Sequence, residues 1–152
     1  MNHHSIPTSF EHSTTINAPV ECVWDSLTDI EQMKAWMGDP DMALKIDADW
    51  VIGSPMVVKG VHYAPFKNTG TVLAFEPTTC LAYTHLSSLS RLPDQPSSYT
   101  TLEFRMALVD DATSLKLRAS GFPTASIFKH LEFYWGGTLE ILKRHVERRQ
   151  IS

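Results

Sequence analysis

The stretch TASIFKHLEFYWGGTLEILKRHVERR, Thr124 to Arg149, decides the fold. Its apolar residues fall at Ile127, Leu131, Tyr134 and Trp135, Leu139, Leu142 and Val146, the recurrence of a helix with one buried stripe. Thr124 or Ser126 can cap its start after Pro123. Lys143, Arg144, Arg148 and Arg149 crowd its last turns, where cations suit the negative end of the helix dipole. At roughly 1.5 Å per residue this helix runs about 35–40 Å, which calls for a broad sheet beneath it. Gly136 and Gly137 interrupt it at about 1 kcal/mol each relative to alanine. Their lack of side chains directly after Trp135 predicts either a bend or space for a ligand beside that ring.

Upstream, Ser9 to Asn17 alternates as a strand with Phe10, His12, Thr14 and Ile16 on one face, and stops at Ala18-Pro19. Val20, Val23, Trp24 and Leu27 then recur at helical spacing, with Pro19 at the first helical position and Trp24 directed inward. Asp29, with Gln32 three residues on, reads as a capping box opening a second short helix that carries Ile30, Met33, Trp36 and Met37. Gly38-Asp39-Pro40 ends it.

Six short β runs follow: Leu44 to Trp50, Pro55 to His62, Asn68 to Glu76, Thr79 to Leu86, Tyr99 to Val109 and Ser114 to Phe122. Most of the joints are hairpin-length, including Ile52-Gly53-Ser54 and Tyr63 to Lys67, so consecutive strands pair antiparallel. The segment SSLSRLPDQPSS, Ser87 to Ser98, is a longer loop able to cover an opening. Leu102, Phe104, Met106 and Leu108 alternate with Thr101, Glu103 and Arg105, giving one buried and one wet face. The predicted fold class is α+β: a seven-stranded antiparallel sheet wrapped around a long C-terminal helix, with two short helices after the first strand.

The chain of 152 residues, 43% hydrophobic and 20% charged, has the length for one domain with a real core, preceded by a loose arm over Met1 to Thr8. Thirteen basic against 17 acidic residues give a net charge of −4 and no basic run before the C-terminus, which argues against nucleic acid as a partner. Cys22 and Cys80 form no CxxC pattern, the N-terminus shows no signal segment, and no apolar run reaches membrane-spanning length. The expected location is cytoplasmic, without membrane insertion. His62, His85, His130 and His145 make no HxH or HxxxH pair, so no metal and no cofactor is expected.

These residues carry a family resemblance. INAPVECVWDSLTDIEQMKAW, Ile16 to Trp36, together with Gly70-Thr71-Val72, Glu76-Pro77, Leu81-Ala82-Tyr83-Thr84, and Trp135 with Leu139 and Leu142, resembles the START-like (SRPBCC) superfamily. Within it, the chain is similar to the branch named for homology to the activator of the large heat-shock chaperone's ATPase. Gly136-Gly137 departs from that branch's usual ending. The resemblance covers about Phe10 to Val146 and implies a helix-grip fold whose sheet and long helix enclose an apolar cavity for hydrophobic molecules.

With that fold in mind, the large adaptable residues Trp36, Met37, Met56, Phe104, Met106, Phe122, Phe128 and Trp135 become candidate cavity lining, since methionine and aromatic side chains repack readily around apolar ligands. Taken singly, each is better read as ordinary core, and only the family resemblance brings the cavity reading level with it. Tyr83 and His85 share the parity of Leu81 and reach the same interior if Leu81 does, where they and Tyr134 would orient a carbonyl or hydroxyl. His62 ends a neighbouring strand. The favoured function is the binding of a small hydrophobic or aromatic molecule without converting it, and no catalytic residue is assigned. The alternatives are a polyketide cyclase- or dehydratase-like enzyme acting in the same cavity, with Tyr83, His85 and Arg105 or Tyr134 as its polar groups, and a chaperone-associated interaction module. An open sheet also leaves edge strands, which predicts a homodimer.

Overall fold

The computed structural model describes residues 6–150. Most of the arm expected over Met1 to Thr8 lies outside the described residues; Ile6 packs partly buried against the core. The first strand, β1 (Ser9–Ile16), leads into helices α1 (Val20–Thr28) and α2 (Ile30–Met37) and a 3-10 turn at Pro40–Met42. Six strands follow: β2 (Lys45–Ala48), β3 (Pro55–His62), β4 (Ala64–Glu76), β5 (Cys80–Ser87), β6 (Thr100–Val109) and β7 (Ala112–Ser120). Helix α3 (Ala125–Arg149) closes the chain. All seven strands form one antiparallel sheet in the order β1-β7-β6-β5-β4-β3-β2, so the first strand returns to pair with the last. The α+β architecture predicted from periodicity is the one observed.

Local chemistry sets the joints. Thr124 caps α3 by accepting the Ile127 N–H at 3.1 Å. Pro19 stands one residue before α1 as its N-cap instead of inside its first turn. Asp29 caps α2 by accepting the Gln32 N–H at 3.1 Å, but the return half of the predicted box is absent. The Gln32 carboxamide oxygen instead accepts from Ser26 at 2.6 Å and from Arg149, tying α1, α2 and the end of α3 together. The joint expected over Tyr63 to Lys67 shrinks to one residue, Tyr63, at φ 63°, and β4 begins at Ala64. Pro65 is tolerated there because β4 is bonded only to β3 at that point, the pairing with β5 starting at Asn68.

The inner face of the sheet carries Phe10, Ile16, Leu81, Leu102, Phe104, Leu115, Leu117 and Ala119, all buried. The outer face carries Glu11, Glu103, Arg105, Lys116 and Arg118, with one exposed ion pair, Arg105 to Glu103 at 3.1 Å, of a kind worth at most about 1 kcal/mol. Between Val72 and Ala74 the β4–β5 register shifts by a bulge, which bends the strand locally. Next to it, a side chain on Gly70 would place its Cβ 1.7 Å from the Thr84 carbonyl oxygen, so β4 and β5 can approach this closely only with glycine there. On α3 the inward positions are Leu131, Trp135, Thr138, Leu139, Leu142 and Val146. The stripe read from spacing holds, with Thr138 added to it. Among the described residues no helix is long and apolar enough to cross a membrane.

Candidate functional site

The two halves of α3 meet different partners. Along the C-terminal half, Leu139, Leu142 and Val146 join a closed core with Ile16, Val23, Leu27, Leu115 and Leu117. Beside the N-terminal half the sheet stands away from the helix and leaves an open-mouthed cavity of about 500 Å³. Ligand sites commonly span roughly 300–1,000 Å³. Helix α3 supplies Ile127, Leu131, Tyr134 and Trp135, β3 supplies Met56 and Val58, β5 supplies Tyr83 and His85, and β6 supplies Thr100 and Leu102. Met37 and the segment after α2, with Met42 and Leu44, line a further side. At the rim His62, Leu89, Ser126 and His130 are exposed.

Of the residues singled out from sequence, Met56, Tyr83, His85, Tyr134 and Trp135 stand on the cavity wall, as do Met37 and His62. Trp36 and Phe104 stand behind that wall against Trp135, with ring centroids 6.2 and 5.4 Å away, and Phe104 also backs Tyr83 at 6.0 Å. They hold the wall in place without reaching the space. Phe122 and Phe128 belong to a separate aromatic cluster with Phe10, at centroid distances of 5.6 and 6.1 Å from it. Met106 is buried core opposite Leu115. Spacing assigned these residues to the interior but could not divide the interior into packed and open parts.

Sequence reading passed over Thr100, Leu102, Leu131, Val58, Phe66, Met42 and Leu44 as lining. Thr100 was within reach: it has the parity of Leu102 and Phe104, and continuing that alternation one step back turns it inward. The Met42–Leu44 segment carried no periodic signal, because its place depends on two glycines. A Cβ on Gly38 would come within 2.6 Å of the Met42 sulfur, and one on Gly60 within 2.8 Å of a Leu44 methyl.

The space expected from Gly136-Gly137 lies elsewhere. At 100° per residue the two glycines turn away from the face that buries Trp135, and both are exposed on the outside of the helix. A Cβ on Gly137 would meet nothing within 4 Å, and one on Gly136 would rest 3.5 Å from the His12 ring. His12 donates from Nε2 to the Glu132 carbonyl at 2.9 Å, and this contact fastens β1 to the outer flank of α3.

The polar groups on the wall sit in low-dielectric surroundings. Burial, with the neighbouring His130 adding a smaller effect of the same sign, pushes His85 down to about 4, so its ring is neutral near pH 7. Its remaining accessible surface opens on the cavity that it lines. Burial also raises the phenols of Tyr83 and Tyr134 above their ordinary values. Tyr134 donates to the Met37 carbonyl at 3.0 Å, tying α3 to the end of α2 beside the cavity. The Thr100 hydroxyl is buried with no partner. Among the described residues, no Asp, Glu, Lys or Arg side chain lines the cavity. Such a wall can exchange hydrogen bonds with a neutral molecule but offers no counter-charge. Among the described residues no group of three or more His, Cys, Asp or Glu stands together to hold a metal ion.

A family model described as Activator of Hsp90 ATPase homolog 1-like protein matches residues 17–147. The solution structure of a Cytophaga hutchinsonii protein is 30% identical over 97% of this chain and 99% of that one, with a TM-score of 0.78. A crystal structure of a Chromobacterium violaceum protein superposes with a TM-score of 0.80 over 93% of this chain and 99% of that one at 18% identity. A solution structure described as the Aha1 dimer from Colwellia psychrerythraea gives a TM-score of 0.73 at 20% identity, over 93% and 97% of the two chains. No curated protein matches the sequence.

Proposed function

The chain belongs to the family of Activator of Hsp90 ATPase homolog 1-like proteins, and on that premise we propose that it binds a small hydrophobic or aromatic molecule in the cavity between the sheet and α3. The observation that carries this reading is a space of about 500 Å³ walled by Met37, Met56, Leu102, Leu131 and Trp135 without one charged side chain. Moving about 200 Å² of apolar ligand surface out of water into such a wall is worth roughly 5 kcal/mol before the costs of association. The methionines in the wall, Met37, Met42 and Met56, let it adjust to the ligand's outline.

A neutral naphthyl-ketone dye tests the reading. It binds the folded protein at one site with a blue-shifted emission, and Val58→Phe, which extends a wall residue into the space, weakens that binding while thermal denaturation shows the fold retained. Dye that binds both proteins equally, or binds only once unfolding begins, overturns the proposal. Native mass spectrometry of protein purified from cells adds the identity of any molecule retained.

We also propose self-association. A relative is described as a dimer, and the open sheet leaves β1 and β2 as unpaired edges. Light scattering across a concentration series gives twice the chain mass; a monomer at every concentration ends this proposal.

A further inference from the structure

The fold pairs its buried hydroxyls with care, and this makes Thr100 an exception. Thr113, fully buried on β7, donates to the Ala18 carbonyl at 2.7 Å, and Ser26, fully buried on α1, donates to Gln32 at 2.6 Å. Thr100 is 1% exposed, and its hydroxyl oxygen, sealed from solvent, has no partner among the described residues. An unpaired buried hydroxyl costs about 1–3 kcal/mol. This one stands on the cavity wall, directly across the strand pair from His85, with Leu102 across from Tyr83. Neither the Tyr83 hydroxyl nor the His85 ring is hydrogen-bonded within the described residues. The Thr100 oxygen itself is sealed from the space, so the groups that face the cavity with their capacity unspent are the Tyr83 hydroxyl and the His85 ring, both on β5.

We propose that Tyr83 and His85 form a polar anchor for one uncharged oxygen-bearing group, a hydroxyl or a carbonyl, on an otherwise apolar ligand, and that the cavity rejects the carboxylate of the same skeleton. The proposal rests on the cavity-binding reading and names the class of molecule it takes. The tyrosine hydroxyl donates or accepts, and an imidazole offers one donor and one acceptor, so a hydroxyl is satisfied in both directions and a carbonyl on both lone pairs. A carboxylate brought to the same place would lose its water without gaining a cation, because no Lys or Arg lines the cavity.

Equilibrium dialysis of the full chain at pH 7.5 with 2-naphthol, naphthalene and 2-naphthoate separates the terms, since the three share one apolar skeleton. The expected order is naphthol tightest, by about 3- to 10-fold over naphthalene, with naphthoate weakest. Tyr83→Phe, which removes one hydroxyl with little change of shape, lowers naphthol affinity by about 3- to 10-fold and leaves naphthalene unchanged, whereas Thr100→Val, whose hydroxyl is sealed from the cavity, changes neither. Naphthol and naphthalene binding equally to the wild-type protein, naphthoate binding as tightly as naphthol, or Tyr83→Phe weakening both neutral ligands alike overturns the anchor while leaving the cavity in use. Absence of binding by all three overturns the cavity reading and the anchor with it.

Discussion

Lowering the pH from 7.5 to 5 destabilises the protein through His85. The ring has an ordinary value near 6.5 in the unfolded chain and about 4 in the folded one. Above about 6.5 it is neutral in both states and contributes nothing. Between 6.5 and 4 the unfolded chain takes up a proton that the folded protein refuses, so stability falls as the pH falls; below 4 both states are protonated and the loss stops growing. Roughly 2.5 units at about 1.4 kcal/mol each set a ceiling of about 3.5 kcal/mol, and at pH 5 the same two values give about 2 kcal/mol. Because His85 is half-buried beside an open cavity, water there trims the expected loss to about 1–2 kcal/mol. Urea denaturation of the wild-type protein and His85→Gln at pH 7.5 and 5.0 measures it. His145 is shifted downward by burial and by the charges of Arg149 and Arg148, so it titrates in the same direction and remains in the variant. The share belonging to His85 is therefore the difference between the two losses. A variant that loses as much stability as the wild type, or a wild type more stable at pH 5, refutes the reasoning.

Gly70→Ala drives a methyl into the Thr84 carbonyl and is expected to cost about 2–3 kcal/mol or more, read as a lower midpoint in chemical denaturation. Gly137→Ala, whose added carbon meets nothing, is expected to raise stability by about 0.5–1 kcal/mol through helix propensity alone, and a loss in thermal denaturation would show a contact that the structure lacks. Trp24→Ala removes a ring only 7% exposed and lying 5.1 Å from Phe75; the expected loss is about 3–5 kcal/mol, and less than about 1 kcal/mol in urea would show that α1 does not lean on this residue.

The elements were legible because each carries its own period. The stripe on α3, the alternation Leu102, Phe104, Met106 on β6 and the Asp29 cap are local signals, and the structure bears them out, except that Leu108, expected on the same buried face, is exposed near the end of its strand. Alternation also gave the inward parity of Tyr83 and His85. Less could be read where position depends on a distant backbone. The extent of β4 back to Ala64 is set by pairing with β3, and the Met42–Leu44 wall is set by Gly38 and Gly60. The glycine pair after Trp135 misled because a residue adjacent in sequence on a helix is 100° away in direction. The division between core and cavity was out of reach for a different reason: Phe104 and Leu102 have the same parity, the same strand and nearly the same burial, yet only Leu102 reaches the open space.

That division follows from what faces each half of α3. Opposite Leu139, Leu142 and Val146 the sheet and α1 present Ile16, Leu27, Leu115 and Leu117, branched apolar side chains that fill the volume to near zero exposure. Opposite Ile127, Leu131 and Tyr134 it presents Tyr83, His85 and Thr100, beside a β4 bent by its bulge. A sequence under pressure for stability alone would place valine at Thr100, which keeps the shape and removes an unpaired hydroxyl at a gain of about 1 kcal/mol or more. It would also avoid a histidine whose burial makes the protein acid-sensitive. Both losses occur on one directly paired couple of residues, His85 and Thr100, beside the cavity. The closed half of the helix supplies the stability that lets the other half keep an open, under-satisfied wall, and this is why the site is found at one end of α3 and not along its middle.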